Sequence, residues 1–308
     1  MGKIAFVFAG QGAQYGGMGQ SVYSAFPAAK ELLGRAEAQR EGTLSQCFSG
    51  TKEELSLTQN AQPCIMAVDC ACAAALIENG VAPDGLAGFS LGEIATLGMS
   101  GMLTFSQAFR LVMKRASFMQ ACAQEHPGGM AAVLKLGDDQ VEALCKEHGA
   151  YPVNYNCPGQ VVCAMAAETM APFAQAVQAA GGRALPLNVG GGFHSPFMRG
   201  AAENLKHYAQ TLTFLEPERP TYANATCGLY CAKEAPALLS MQVDHPVRWT
   251  TLIRGMLSQN YSDFIEVGSG SVLSGFIKKI GGADYIGHAE DEQSILQVIS
   301  HYREGAAC

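Results

Sequence analysis

Five residues, Gly88-Phe89-Ser90-Leu91-Gly92, set a serine between two glycines in the pattern G-x-S-x-G. That spacing suits a strand-to-helix turn so tight that only small residues fit on either side of the serine. The turn lifts the hydroxyl to the end of a sheet. A helix starting there aims its first N–H groups at the same point, where developing negative charge is favoured. The chemistry on offer is nucleophilic attack by Ser90 on an acyl carbonyl, with the N–H of Leu91 as one oxyanion donor.

Such a hydroxyl needs a base, and the chain has seven histidines. His194 follows the run Gly190-Gly191-Gly192 and opens His194-Ser195-Pro196-Phe197-Met198, which makes it the candidate base. His245, beside Pro246, is the rival. His126, His148, His207, His288 and His301 lie in polar or helical contexts that suit solvated surface. A Ser–His hydrogen bond would raise nucleophilicity near neutral pH. The hydrolase order of Ser, then Asp or Glu, then His is not obviously filled, which leaves a backbone or amide carbonyl to orient the ring.

Near the start, Gly10-Gln11-Gly12-Ala13-Gln14 could pass for a dinucleotide loop. Tyr15 breaks that spacing, however, and no acidic residue is suitably placed after a second strand. A glutamine on a tight glycine turn can instead lend its backbone N–H to an oxyanion hole, and Gln11 is the candidate. Arg115 falls on a helix with an apolar opposite face. By residue type alone it reads as a solvated helical arginine, as does Lys114.

These residues need a scaffold of alternating strands and helices. Lys3 to Phe8 reads as a buried strand, Val22 to Ala38 and Cys64 to Glu78 as helices, Gly85 to Phe89 as a strand, and Ser106 to Cys122 as a helix. This alternation predicts an α/β fold with a largely parallel sheet. From Gly128 to about Val189 the order changes to strand (Met130–Leu136), helix (Asp139–His148), two strands (Val153–Tyr155 and Val161–Met165), helix (Ala167–Ala180) and extended chain (Arg183–Val189). That is the split βαβ, ferredoxin-like order. The expected organisation is a catalytic domain over 1–127 and 193–308, with an inserted small domain over 128–192 that hinges at Pro127-Gly128-Gly129 and at Gly190–Gly192.

Composition sets further bounds. With 48% hydrophobic and 15% charged residues, the chain can bury a substantial core. A net charge of −7 argues against a nucleic-acid partner. The apolar start is too short for a signal peptide, Phe6 stands where myristoylation wants Ser or Thr, and no run approaches the roughly 18 apolar residues of a membrane span. A cytoplasmic chain with no membrane association is expected, and a monomer. The 11 cysteines include no C-x-x-C pair, so most are expected to be reduced core residues, with no metal site.

Taken in order, the motifs resemble those of the malonyl-CoA:acyl carrier protein transacylases over nearly the whole chain. They are Gly10-Gln11-Gly12-Ala13-Gln14, Ala61-Gln62-Pro63, Gly88-x-Ser90-Leu91-Gly92-Glu93, and Arg115-x-x-Phe118-Met119. After these come Asn156-x-Pro158-Gly159-Gln160, Phe193-His194-Ser195-Pro196, Gln242-x-x-x-Pro246-Val247-Arg248-Trp249, and Glu266-Val267-Gly268 leading to Leu273-Ser274-Gly275-Phe276.

The resemblance implies an α/β-hydrolase-like large domain and a ping-pong reaction. Malonyl passes from malonyl-CoA to Ser90, and then to the phosphopantetheine thiol of acyl carrier protein, with no tightly bound cofactor. It implies oxyanion roles for Gln11 and Leu91, and a carbonyl from Gln242 holding His194. Arg115 would grip the malonyl carboxylate, Phe193 would leave little room for a methyl branch, and Gln62 and Asn156 would contact substrate. The family usually has histidine directly before the nucleophile; this chain has Phe89. Carrier docking on an acidic chain would need a local basic patch, for which Lys278, Lys279, Arg199 and Lys206 are candidates. Three alternatives share these residues: a free-standing polyketide synthase acyltransferase, an acyl-thioester hydrolase, and a non-catalytic carrier-binding module.

Overall fold

The structure, a computed structural model, describes residues 2–305; Met1 and residues 306–308, Cys308 among them, lie outside the described residues. The strands described are β1 (Lys3–Phe8), β2 (Gly85–Gly88), β3 (Gly128–Leu134), β4 (Tyr151–Cys157), β5 (Gln160–Ala166), β6 (Arg183–Pro186), β7 (Thr221–Tyr222), β8 (Tyr261–Val267) and β9 (Tyr285–Ala289). They form two sheets. The first is parallel throughout, in the order β7-β2-β1-β8-β9. The second is antiparallel, in the order β4-β5-β3-β6.

Strand β1 sits in the middle of the parallel sheet, which explains its run of apolar residues. Ala5, Val7, Phe6 and Phe8 are all fully buried, the first two facing one core and the last two the other. A central parallel strand covered on both faces has no solvent side to make polar.

The antiparallel sheet alternates instead. Ala131, Val133, Val161 and Cys163 face a small core with Val141, Phe173 and Val177 from the helices Asp138–His148 and Met170–Ala179. Met130, Ala132, Val162 and Ala164 face the main core. Strand β4 is tied by backbone to the loop before the helix Trp249–Ser258: Tyr155 N–H donates to the Val247 carbonyl at 3.0 Å, and Val247 N–H donates to the Val153 carbonyl at 2.8 Å.

Several local expectations need correcting. The helix expected over Val22–Ala38 is two helices, Gln20–Ala25 and Pro27–Gln39, broken at Phe26. Pro27 disfavours helical backbone in the residue before it, and Phe26 takes up φ −120°, ψ 120°. The helix expected from Cys64 begins at Thr58 and carries Pro63 inside it. Gly128 and Gly129 are not a turn but the first residues of β3, paired with Ala166 and Met165. All ten cysteines among the described residues are free thiols, eight of them buried.

The helix Thr58–Glu78 is long and apolar enough to cross a membrane, yet 83% of its apolar window is buried inside the protein. It is the core helix against which Phe105–Glu125 and Pro27–Gln39 pack. Within it Asp69 is fully buried, and neither carboxylate oxygen has a hydrogen-bond partner among the described residues. Burial, with Glu266 nearby, pushes its pKa well above the usual carboxylate range.

A raised folded-state pKa means that Asp69 contributes its stability in acid and loses it as pH rises through the folded value. Glu93 and Glu266, both pushed up to about 7 mainly by burial, act with the same sign. Asp69→Asn is therefore expected to flatten, without abolishing, the fall in melting temperature between pH 5 and pH 8. The gain at pH 8 should reflect the lost cost of keeping that carboxyl protonated, which grows by at most about 1.4 kcal/mol per pH unit above the unfolded-state pKa. Thermal unfolding of both proteins at the two pH values checks this, and parallel pH curves would contradict it.

Candidate active site

The end of β2 delivers Ser90 to the carboxyl edge of the parallel sheet, and the helix Gly92–Met99 starts two residues later. Both flanking glycines are sterically required. A Cβ on Gly88 would lie 2.0 Å from the Gly92 carbonyl carbon, and one on Gly92 would lie 2.3 Å from the Phe8 oxygen. Ser90 itself takes φ +52°, the left-handed region that a non-glycine residue occupies only when its surroundings hold it there.

His194 is brought to it from the other side of the chain. Ser90 Oγ and His194 Nε2 are 2.7 Å apart, and His194 Nδ1 lies 2.8 Å from the backbone carbonyl of Gln242. A carbonyl can only accept, so Nδ1 carries the proton and Nε2 is left as the acceptor facing Ser90. His194 also has a left-handed backbone, φ +60°, and is buried. Burial first, and the Arg115 charge second, hold its pKa down at about 3. The ring is thus neutral, and able to take a proton, across the physiological range. The rival His245 is exposed, and its ring pairs with Asp244 at 2.6 Å and not with Ser90. Of the other five, His126, His207 and His301 are exposed, whereas His148 and His288 are half-buried.

Arg115 is not the solvated residue that its type suggested. It is 1% exposed, while its neighbour Lys114 is exposed. Its Nη2 donates to Ser90 Oγ at 3.1 Å and to Gln242 Oε1 at 2.9 Å, and its Nε donates to the same Oε1 at 3.1 Å. Nη1 has no partner among the described residues. Burial lowers its pKa to about 10, still charged at neutral pH. A buried guanidinium with one open amine and no carboxylate in contact is poised for an anion, since an uncompensated buried charge costs several kcal/mol.

Gln242 therefore serves both neighbours. Its backbone oxygen accepts from His194, its side-chain oxygen accepts from Arg115, and its Nε2 donates to the Ser90 carbonyl.

The Gln11 loop approaches Ser90 closely, because a Cβ on Gly10 would lie 2.7 Å from the Phe89 oxygen. Gly12 takes φ +113° to make the turn. Neither the Gln11 nor the Leu91 backbone N–H has a partner among the described residues, so both remain available to an oxyanion. Gln62 is fully buried and donates to the Gln11 side-chain oxygen at 3.3 Å.

In front of Ser90 and His194 is a cavity of about 260 Å³. Its walls are mainly apolar, including Phe89, Met119, Met130, Val162, Phe193 and Phe276, with Asn154, Asn156 and Gln160 on the antiparallel-sheet side. Phe89 sits edge-on to Trp249 with centroids 5.4 Å apart. Arg115, Gln62 and Gln242 do not line this space; they meet it through Ser90, Gln11 and His194.

Three residues around Ser90 were missed by the sequence reading as individual contributors. Asn224 Oδ1 accepts from the Ser90 N–H at 2.7 Å, the Asn224 N–H donates to Glu93 Oε2 at 2.9 Å, and Tyr230 donates its hydroxyl to Glu93 Oε1. Glu93 was visible only as a letter in the serine motif. Asn224 and Tyr230 carry no spacing that would have marked them.

Comparison with known proteins agrees with this geometry. The model of the acyl transferase domain family matches residues 5–294. The chain belongs to that family. A malonyl CoA-acyl carrier protein transacylase of Bacillus subtilis is 38% identical over 91% of this chain and 91% of its own. The Escherichia coli K12 protein of the same name is 36% identical over 91% and 93%. Among solved structures, the Clostridium perfringens transacylase superposes with a TM-score of 0.94 at 33% identity, covering 99% of this chain and 98% of that one. A malonyl-transacylase solved in complex with a type II polyketide synthase acyl carrier protein gives 0.93 at 32% identity, over 97% and 99% of the two chains. As a member of the acyl transferase family the chain is an acyltransferase, and Ser90 stands in the only G-x-S-x-G of its sequence.

Proposed function

We propose that this acyltransferase moves malonyl from malonyl-CoA to the phosphopantetheine thiol of an acyl carrier protein, by way of a malonyl ester on Ser90. The observation that carries the reading is that one oxygen, Ser90 Oγ, lies 2.7 Å from a neutral imidazole and 3.1 Å from a buried guanidinium. The first makes it a nucleophile; the second selects an acyl group that ends in a carboxylate.

In the first half-reaction Ser90 Oγ attacks the thioester carbonyl as its proton passes to His194 Nε2. The Gln242 carbonyl holds the resulting imidazolium through Nδ1–H, as the acidic member of a triad would. The oxyanion takes the Gln11 and Leu91 N–H groups. When the carbon–sulfur bond breaks, coenzyme A leaves with the proton from His194. In the second half the carrier thiol gives its proton to His194 and attacks the ester carbonyl, and Ser90 leaves with that proton. Arg115 holds the malonyl carboxylate through both halves, its open Nη1 supplying the second arm of a bidentate pair.

Phe193 fills the cavity beside His194, where a methyl branch on the acyl group would have to lie. Asn156, whose Oδ1 has no partner, offers an acceptor to a substrate amide, and Gln62 fixes the Gln11 loop. Phe89 supplies an apolar wall where the family usually has histidine; neither Ser90 nor His194 uses it as a partner. The exposed Lys278 and Lys279 end the helix Val272–Ile280, whose first turn lines the cavity, and would face an acidic carrier.

We assign the parallel sheet and its helices to an α/β-hydrolase-like catalytic domain, 1–127 with 193–308. Residues 128–192 form a ferredoxin-like insert, supported by the β4-β5-β3-β6 order.

Arg115→Ala tests the selectivity. Malonyl transfer is expected to fall about 100-fold or more, the scale of losing a charged hydrogen-bonded pair in a buried site, while acetyl transfer holds or rises. Equal loss on both substrates would make Arg115 a structural residue only. Offering malonyl-enzyme to carrier proteins of fatty acid and polyketide synthases separates the two pathways, and free malonate as the main product would favour the hydrolase.

A further inference from the structure

The backbone of Ser90 is gripped at both of its polar groups by side-chain carboxamides. Its carbonyl accepts from Gln242 Nε2, and its N–H donates to Asn224 Oδ1 at 2.7 Å. The same Asn224 side chain donates from Nδ2 to the Gly88 carbonyl at 2.6 Å, so it spans the elbow from the residue before the turn to the nucleophile itself. Asn224 is 1% exposed and does not line the cavity. Its side chain holds the Ser90 and Gly88 main chain, not Ser90 Oγ.

We propose that Asn224, held by Glu93 and Tyr230, is a positioning residue that locks the left-handed backbone of Ser90 and so fixes the aim of its hydroxyl at His194. The inference rests on Ser90 being the acylated residue.

The physical case begins with the turn. At φ +52° the Ser90 N–H points out of both the strand before it and the helix after it. Neither element can pair it, and in a buried site an unpaired N–H is costly. Asn224 supplies the missing acceptor. It comes from the loop after edge strand β7, which pairs with β2 through Leu86 and Ala87, so its main chain is set by the same sheet that sets Ser90.

Asn224 is fixed in turn. Its own N–H donates to Glu93 Oε2, Tyr230 donates to Glu93 Oε1, and Tyr230 N–H donates to Thr221 at 2.8 Å. Glu93 stands on the first turn of the helix that begins at Gly92, so the strut closes on the nucleophile's own helix. Without it, Ser90 can relax out of the left-handed region and carry Oγ off the 2.7 Å line to the imidazole. A displacement near 1 Å costs about 100-fold in rate.

The test compares wild type with Asn224→Ala, Asn224→Asp and Tyr230→Phe. The readouts are stopped-flow malonylation by malonyl-CoA and labelling by a fluorophosphonate, which phosphonylates a serine Oγ as fluoride leaves and the hydroxyl proton passes to the base. Asn224→Ala is expected to slow both about 100-fold, with KM for malonyl-CoA moved less than threefold. Tyr230→Phe should do the same to a smaller degree.

Asn224→Asp keeps the acceptor for Ser90 N–H, but its second oxygen can donate to Gly88 only when protonated. Its rate should therefore climb as pH falls, a limb that wild type lacks. That variant decides the matter if the alanine variant fails to fold. Undiminished labelling in folded Asn224→Ala, or an Asn224→Asp pH profile parallel to wild type, would overturn the proposal. Failure of the probe to label Ser90 in wild type would instead overturn the reading on which it rests.

Discussion

Ser90→Ala is expected to lower malonyl transfer by about 10⁶-fold, to whatever rate binding and the oxyanion donors sustain alone. The loss should lie in kcat, because the cavity walls that hold the substrate are untouched. Malonyl-CoA should still protect the variant against thermal unfolding, since Arg115 keeps its charge and loses only its contact to Ser90 Oγ. Residues that act as one unit are not additive, so Ser90→Ala combined with His194→Ala should be no slower than either alone. Steady-state rates for the two single variants and the double variant check this. A double variant that loses the product of the two single effects would mean that serine and histidine act independently.

His194→Ala is expected to cost a comparable factor, and the pH profile shows why. In wild type the pKa of about 3 keeps His194 neutral through the weakly acidic range. Its acid limb in kcat/KM should therefore lie far below that of an ordinary histidine. Two causes depress it, burial and then the Arg115 charge, and a bound malonyl carboxylate removes the second. The limb in kcat should accordingly lie above the limb in kcat/KM, and Arg115→Ala should raise the limb in kcat/KM. Glu93, and Glu266 on the cavity wall, also titrate in this range, each at about 7, and any limb there should vanish in Glu93→Gln or Glu266→Gln. A kcat/KM limb near 6.5 that survives both substitutions would show His194 to be an ordinary, hydrated imidazole.

How much of this could be read from the letters follows from where each constraint lies. The serine turn was legible because its geometry is local: no other residue fits at Gly88 or Gly92, so the steric demand is written in five consecutive positions. The strand β1 was legible because burial on both faces leaves a run of apolar residues. Two strands of the antiparallel sheet were legible at Val153–Tyr155 and Val161–Met165, inside β4 and β5.

Arg115 was not legible from its own helix, because the side chain that accepts its hydrogen bonds is Gln242, 127 positions away. Asn224 lies 134 positions from the peptide it holds, in the loop after a two-residue edge strand, with no periodicity to announce it. The third partner of the histidine was illegible for a chemical reason. It is a backbone carbonyl, which every residue possesses, so no side-chain type could point to position 242. Phe26 and Pro27 mark the opposite case, a local signal that was present and outweighed by the helical pattern around it.

The most direct measurement is to mix the wild-type protein with malonyl-CoA, quench in acid, digest it and locate the acyl group by mass spectrometry. Malonyl should be found on the peptide carrying Gly88-Phe89-Ser90-Leu91-Gly92, esterified to the serine and released by a pantetheine thiol. A malonyl group on any other residue, or turnover with no acylated peptide under these conditions, would contradict transfer through Ser90.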